Sequence, residues 1–98
     1  MQRKRDVYGD KARFPLGQTV VTNGVAERVP VAEVQAALRR HQCGDWGQLC
    51  SEDCSENEQA LKNGFRLLSA YLSQEGVKFW IITESDRSVT TVLLPDEY

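Results

Sequence analysis

From residue 65 to residue 95 the chain reads FRLLSAYLS, VKFWIITE and SVTTVLLP, three β-forming runs separated only by QEG and SDR. No other stretch constrains the fold as tightly. Valine, isoleucine, threonine and aromatic residues favour a pleated, half-buried backbone, and loops this short oblige neighbouring strands to pair antiparallel. Side chains alternate between faces. Phe65, Leu67, Ser69 and Tyr71 therefore share one side of the first run, while Arg66, Leu68, Ala70 and Leu72 share the other. The second run is apolar on both sides from Phe79 to Ile82, the mark of a central strand. Pro95 ends the third.

Upstream, residues 18–22 (QTVVT) predict a further strand, stopped by the turn signal Asn23–Gly24. RVPVAEVQAALRRHQ predicts a helix. Pro30 suits its first turn, where the missing N–H would have no partner anyway. Val31, Val34, Ala37, Leu38 and His41 fall on one face at i, i+3, i+4 spacing. Arg39, Arg40 and His41 lie in the last turn, where cations complement the helix dipole, and Gly44 is a stop signal. In GDWGQLCSEDCSENEQALKNG, Asp45 is placed to cap a short turn with Trp46 and Leu49 turned inward. Ser51 or Asp53 then caps a second helix that ends at Asn63 and Gly64. The sum is one α+β domain over residues 14–98: an N-terminal strand and helices packed on a C-terminal three- to four-stranded antiparallel sheet.

A chain of 98 residues has room for a single core. Residues 1–13 hold five bases (Arg3, Lys4, Arg5, Lys11, Arg13) against two acids and show no apolar periodicity. They read as a flexible basic arm, serving solubility or phosphate contact. Residues 45–58 hold five acids and no base, and the net charge of −2 gives no global argument for nucleic acid or membrane. No apolar run approaches the roughly 20 residues of a membrane span, and no apolar stretch follows the basic N-terminus as in a secretory leader. Three closely spaced cysteines (Cys43, Cys50, Cys54) fit a secreted disulfide framework poorly, so the expected compartment is the cytoplasm.

H-Q-C-x6-C-x3-C matches no standard zinc spacing, and half-buried free thiols explain the cysteines more simply. Asp45, Glu52 and Asp53 form an acidic group that magnesium could use, although a solvated capping face accounts for the same residues. Gly-rich phosphate loops, G-x-S-x-G and C-x-x-C are all absent. No metal and no cofactor is expected. What remains is a polar set around His41, the only histidine. Near it in sequence are Arg40 and Asp45, the latter a candidate to orient the imidazole. From the strands come Arg66, Ser69, Tyr71, Thr83, Glu84, Arg87, Ser88, Thr90 and Thr91. A metal-independent ribonuclease needs a base, an acid and donors to the phosphorane, and these residue types supply all three. His41, Arg66, Arg87 and Thr90 are the candidate catalytic residues. Asp45, Trp46, Tyr71, Glu84, Asp86 and Ser88 are the candidate binding residues. Each also has a structural reading: His41 as a packed helix histidine, Thr90 and Thr91 as strand formers, Asp86 and Arg87 as turn residues.

The stretches FPLGQTVVTNG, RHQCGDWGQLCSEDCSENEQALKNGFRLLSAY and KFWIITESDRSVTTVLLPDEY resemble a family of small bacterial proteins of plasmids, phages and other mobile elements. Members are usually named "plasmid-related protein", and some are labelled a type I restriction methylation subunit. The resemblance covers residues 14–98; the arm and the three cysteines lie outside its pattern. A methyltransferase is excluded by size and by the lack of a Gly-rich cofactor loop. The resemblance implies an accessory protein of a mobile element, and the basic arm, the acidic 45–58 segment and the lack of a decisive catalytic motif point to one that binds a protein or nucleic-acid partner. A looser resemblance, in element order alone, is to the barnase, colicin and RelE ribonucleases. It implies His41 as base or acid, Arg66 and Arg87 near phosphate, and Thr90 or Thr91 as a supporting donor.

Overall fold

The computed structural model describes residues 12–98. Strand β1 (Gln18–Val21) leads into helices α1 (Asn23–Arg28), α2 (Val31–Gln42) and α3 (Ser51–Asn63). Strands β2 (Leu67–Leu72), β3 (Lys78–Thr83) and β4 (Val89–Leu93) follow, and a 3-10 turn at Pro95–Glu97 ends the chain. The α+β class is as the sequence predicts. The strands form one sheet in the order β1-β4-β3-β2. β2–β3 and β3–β4 pair antiparallel, as their short turns require, with Ile81 opposite Ser69 and Val92. β1 lies parallel to β4, with Val20 opposite Thr91, so the sheet is mixed rather than antiparallel. That orientation follows from three intervening helices and two strands, which carry the chain back to the same end of the sheet before β4 starts.

Local expectations are corrected at four places. Asn23 and Gly24 open α1 instead of a turn: the Thr22 hydroxyl accepts from the Val25 N–H at 3.4 Å, and Glu97 accepts from the Gly24 N–H at 3.1 Å. Val31, the first residue of α2, is 70% exposed, while Val34, Ala37 and His41 are buried as the spacing predicts. The N-cap of α3 is Cys50, with no side-chain bond; Ser51 is already helical, and Glu52 and Asp53 act through the helix dipole. α3 does end at Asn63 as expected, with Gly64 closing it in the left-handed conformation (φ 77°). Most of the expected basic arm lies outside the described residues. Arg13, its last member, is held: its N–H donates to the Gln42 carbonyl at 2.8 Å and its guanidinium grips Glu58 at 2.8 and 2.9 Å.

The helices cover one face of the sheet. Val25, Val29, Val34 and Ala37 pack there on Tyr71, Phe79, Ile81 and Val92. A second cluster, Phe14, Trp46, Ala60 and Leu67, fills the end of the same layer. Each large apolar side chain so buried contributes about 1.5–3 kcal/mol. Alternation sends Leu68, Ala70, Leu72, Trp80, Ile82, Val89, Thr91, Leu93 and Val20 to the opposite face, and none of them belongs to either cluster. Among the described residues no α-helix covers that face.

Candidate functional site

His41 lies near the end of α2, where helical spacing puts it over the sheet with Ala37 and Val34. It is fully buried, with the Phe14 ring edge-on at 5.2 Å and Trp46 at 5.8 Å. Nδ1 is 2.5 Å from the Ser69 hydroxyl on β2, and Nε2 is 2.9 Å from the Thr83 hydroxyl on β3. Thr83 Oγ1 is 2.8 Å from Thr90 Oγ1 on β4, and Thr90 donates to the Leu16 carbonyl at 2.7 Å. The carbonyl only accepts, and this sets the direction of the whole chain. Thr90 spends its proton on Leu16, so Thr83 must donate to Thr90. Thr83 therefore accepts from an Nε2–H, and Nδ1 accepts from Ser69. The imidazole is neutral, with both nitrogens occupied. Burial first, and the nearby Arg87 charge second, pull its pKa down to about 3.

The other predicted residues fall into three places. Thr90 belongs to the buried chain just described. Arg87 is held by backbone carbonyls and not by Glu84 or Asp86 carboxylates: it donates to Phe65 at 2.7 Å, Glu84 at 3.2 Å and Ala60 at 3.3 Å, with its guanidinium carbon 5.7 Å from the centre of the Phe14 ring. It takes φ 61°, a conformation costly for any side chain, and its carbonyl bonds tie the β3–β4 turn to the end of α3. Asp86 accepts from both the backbone and the hydroxyl of Ser88, closing that turn and holding its carboxyl below the usual range. Arg66 is elsewhere, on the bare face. It pairs with Glu84 at 3.6 Å, donates to the Tyr98 hydroxyl at 2.8 Å and lies 5.4 Å from that ring's centre.

Asp45 does not orient His41. It takes a fork from Arg40 at 2.7 and 3.2 Å and the Gly47 N–H at 3.3 Å, and Arg40 holds its carboxyl low. Trp46 donates to Glu58 at 3.0 Å, and Tyr71 donates to the Asp45 carbonyl at 2.6 Å. These contacts fasten the 45–49 loop against β2. Catalysis needs a proton-transfer group that substrate can touch. His41, Arg66, Arg87 and Thr90 do not converge on an open cleft, and the imidazole has no exposed atom. Cys50 and Cys54 are free thiols, and among the described residues no group of three His, Cys, Asp or Glu side chains is placed to hold a metal.

The larger accessible features are surfaces. An open groove of about 600 Å³ runs between α3 and β2, over Leu49, Asn57, Ala60 and Leu68, with Asp53 and Glu56 on its rim. On the bare face, Trp80 is half-buried with Tyr98 edge-on at 5.9 Å, while Leu72 and Val20 are 51% and 42% exposed. Ile82 and Leu93, at 3% and 6%, are nevertheless buried there. The sequence reading missed Phe14 and the Leu16 carbonyl, which complete the His41 pocket; a backbone acceptor has no sequence signal. Comparison with protein-family models, with curated proteins and with solved structures finds no match for the chain. Among the described residues no helix is long and apolar enough to cross a membrane.

Proposed function

We propose that the chain is a binding module, an accessory protein of a mobile genetic element that docks a protein partner on the bare face of its sheet. The observation carrying this reading is that face itself: Trp80, Leu72 and Tyr98 stand on it with no helix above. A protein partner suits the surface better than nucleic acid. From Ala12 onward the chain holds eight bases and twelve acids, and Arg13, Arg40, Arg66 and Arg87 are already engaged within the domain. Among the described residues a phosphate backbone would meet no basic stripe. The ribonuclease reading finds no support in an imidazole that is sealed, neutral and fully hydrogen-bonded.

The test is affinity capture from the native host with the wild type and with Leu72→Lys in parallel, followed by identification and reconstitution from purified components. A partner bound by the wild type and lost by Leu72→Lys supports the reading. Equal binding by both proteins, or no partner for either, overturns it. RNA cleavage in EDTA by the wild type would also overturn it in favour of an enzyme.

A further inference from the structure

The two edges of the sheet are finished differently. At β2 the outer backbone groups are taken. Ala70 donates to the Trp46 carbonyl at 3.2 Å and accepts from the Gln48 N–H at 2.7 Å, and the Asn57 side chain bonds both backbone groups of Leu68 at 2.7 and 3.2 Å. At β1 no such cover exists among the described residues. Gln18 and Thr22 direct their N–H groups to Ser88 and Val92 at 2.9 and 3.0 Å, so alternation turns the backbone groups of Thr19 and Val21 outward, away from β4. All four residues of β1 are exposed, and α1 leaves the edge by folding back over β4, where Val25 meets Val92.

Exposed edges normally carry charge, proline or a bulge that blocks pairing. β1 has none of these. From Phe14 to Ala26 thirteen consecutive residues carry no charge, in a chain where 27% of residues are charged. That neutrality decides the occupant. In an antiparallel pair of identical strands the residue on the axis faces its own copy and its neighbours face one another reciprocally, so a charge on the axis would repel itself and one beside it would lie close to its own copy. A strand built for a charged foreign partner would have no reason to be so bare. The chain's net charge of only −2 adds little long-range repulsion between copies.

We propose that the outer edge of β1 pairs antiparallel with β1 of a second copy of this chain, joining two four-stranded sheets about a two-fold axis at Val20. Thr19 and the partner copy's equivalent of Val21 exchange both backbone bonds, and the reciprocal pair does the same. The two copies of Val20 meet across the axis at the closer, non-hydrogen-bonded spacing. Because the axis is perpendicular to the sheet, the bare faces of both copies lie on the same side. This pairing does not rest on the partner-binding reading, since it uses the edge, and it places two partner surfaces side by side. A four-residue edge is short, so the dimer is a weak one that forms with rising concentration.

Sedimentation of the full chain from low micromolar to submillimolar concentration tests it. Mass should rise from 11.1 kDa towards twice that value, and hydrogen exchange at the Thr19 and Val21 amides should slow in step. Val20→Lys should stay monomeric with an unchanged circular dichroism spectrum, because Val20 is 42% exposed in the single copy. Leu72→Lys, on the far strand, should still dimerise. A wild type that stays monomeric while both amides exchange freely overturns the proposal, as does a dimer that Val20→Lys leaves intact. If Val20→Lys unfolds, the concentration dependence of the two wild-type amides decides alone. The partner-binding reading survives any of these outcomes; it stands or falls on the capture comparison with Leu72→Lys and on the RNA cleavage assay.

Discussion

The two faces of the sheet are both rich in apolar side chains, yet they behave as opposites. On the helix side Phe79, Ile81 and Val92 are sealed at 0–1% exposure. On the other side Leu72 is half exposed, and Ile82 is buried with no α-helix over it among the described residues. The helix side also holds every link of the Ser69–His41–Thr83–Thr90 chain, each donor matched to an acceptor. The bare side holds Trp80, Tyr98 and the Arg66–Glu84 pair in contact with solvent. Apolar composition therefore does not identify the core. The core is whichever face other elements cover, and the uncovered one keeps large apolar side chains in contact with solvent.

The sharpest way to break this contrast is truncation on the sealed side. Phe79→Ala should cost about 3–5 kcal/mol in urea unfolding, since the cavity lies among Val34, Tyr71 and Ile81 with little room to collapse. A cost below about 1 kcal/mol would show that the helices do not seal this face.

Acid should act on the sealed side through His41. Its pKa is about 3 when folded and about 6.5 when free, so below pH 6.5 the unfolded chain binds the extra proton and stability falls with pH until about pH 3. Between pH 7 and pH 5 the loss should be about 2 kcal/mol. Asp45 and Glu58, held low by Arg40 and Arg13, contribute their own losses at lower pH and leave this window clean. In His41→Gln the slope between pH 7 and pH 5 should vanish; an unchanged slope would assign it to another group.

At the junction of the two sides, Arg87→Ala should destabilise by about 1.5–3 kcal/mol, since it strands carbonyls at the end of α3 and in the adjoining turn. Arg87→Gly loses the same bonds but relaxes φ 61°, so it should be the milder of the two by about 1 kcal/mol. The reverse order would show that the backbone conformation there carries no strain. The smallest effect belongs to the bare face: Leu72→Lys should change stability by no more than about 0.5 kcal/mol. A larger loss would mean that Leu72 is a core residue after all.

The meander, its antiparallel pairing and the inward face of α2 after its first turn were legible because each depends on residues close in sequence. The sites of misreading share one cause. Asn23–Gly24 has the local chemistry of a turn, and α1 starts there because Thr22 caps it and Glu97, more than seventy positions away, joins the cap. Val31 has the right spacing for the core, but as the first residue of α2 it stays exposed. His41 was the natural focus of the polar set. Ser69 and Thr83, also in that set, proved to be its partners, whereas Asp45 beside it in sequence turned to Arg40.

The amino-acid sequence by itself determined the elements: period-two runs with loops too short for any crossover, and one helix with a clear apolar face. Only the tertiary structure decided that β1 runs parallel to β4, that the polar face residues close on His41 instead of opening to solvent, and which face and edge remain uncovered. Strand and helix formation is a local balance of backbone conformation and side-chain alternation, which neighbouring residues settle. Pairing across seventy residues, and the desolvation that makes a histidine neutral, depend on what the folded chain brings together.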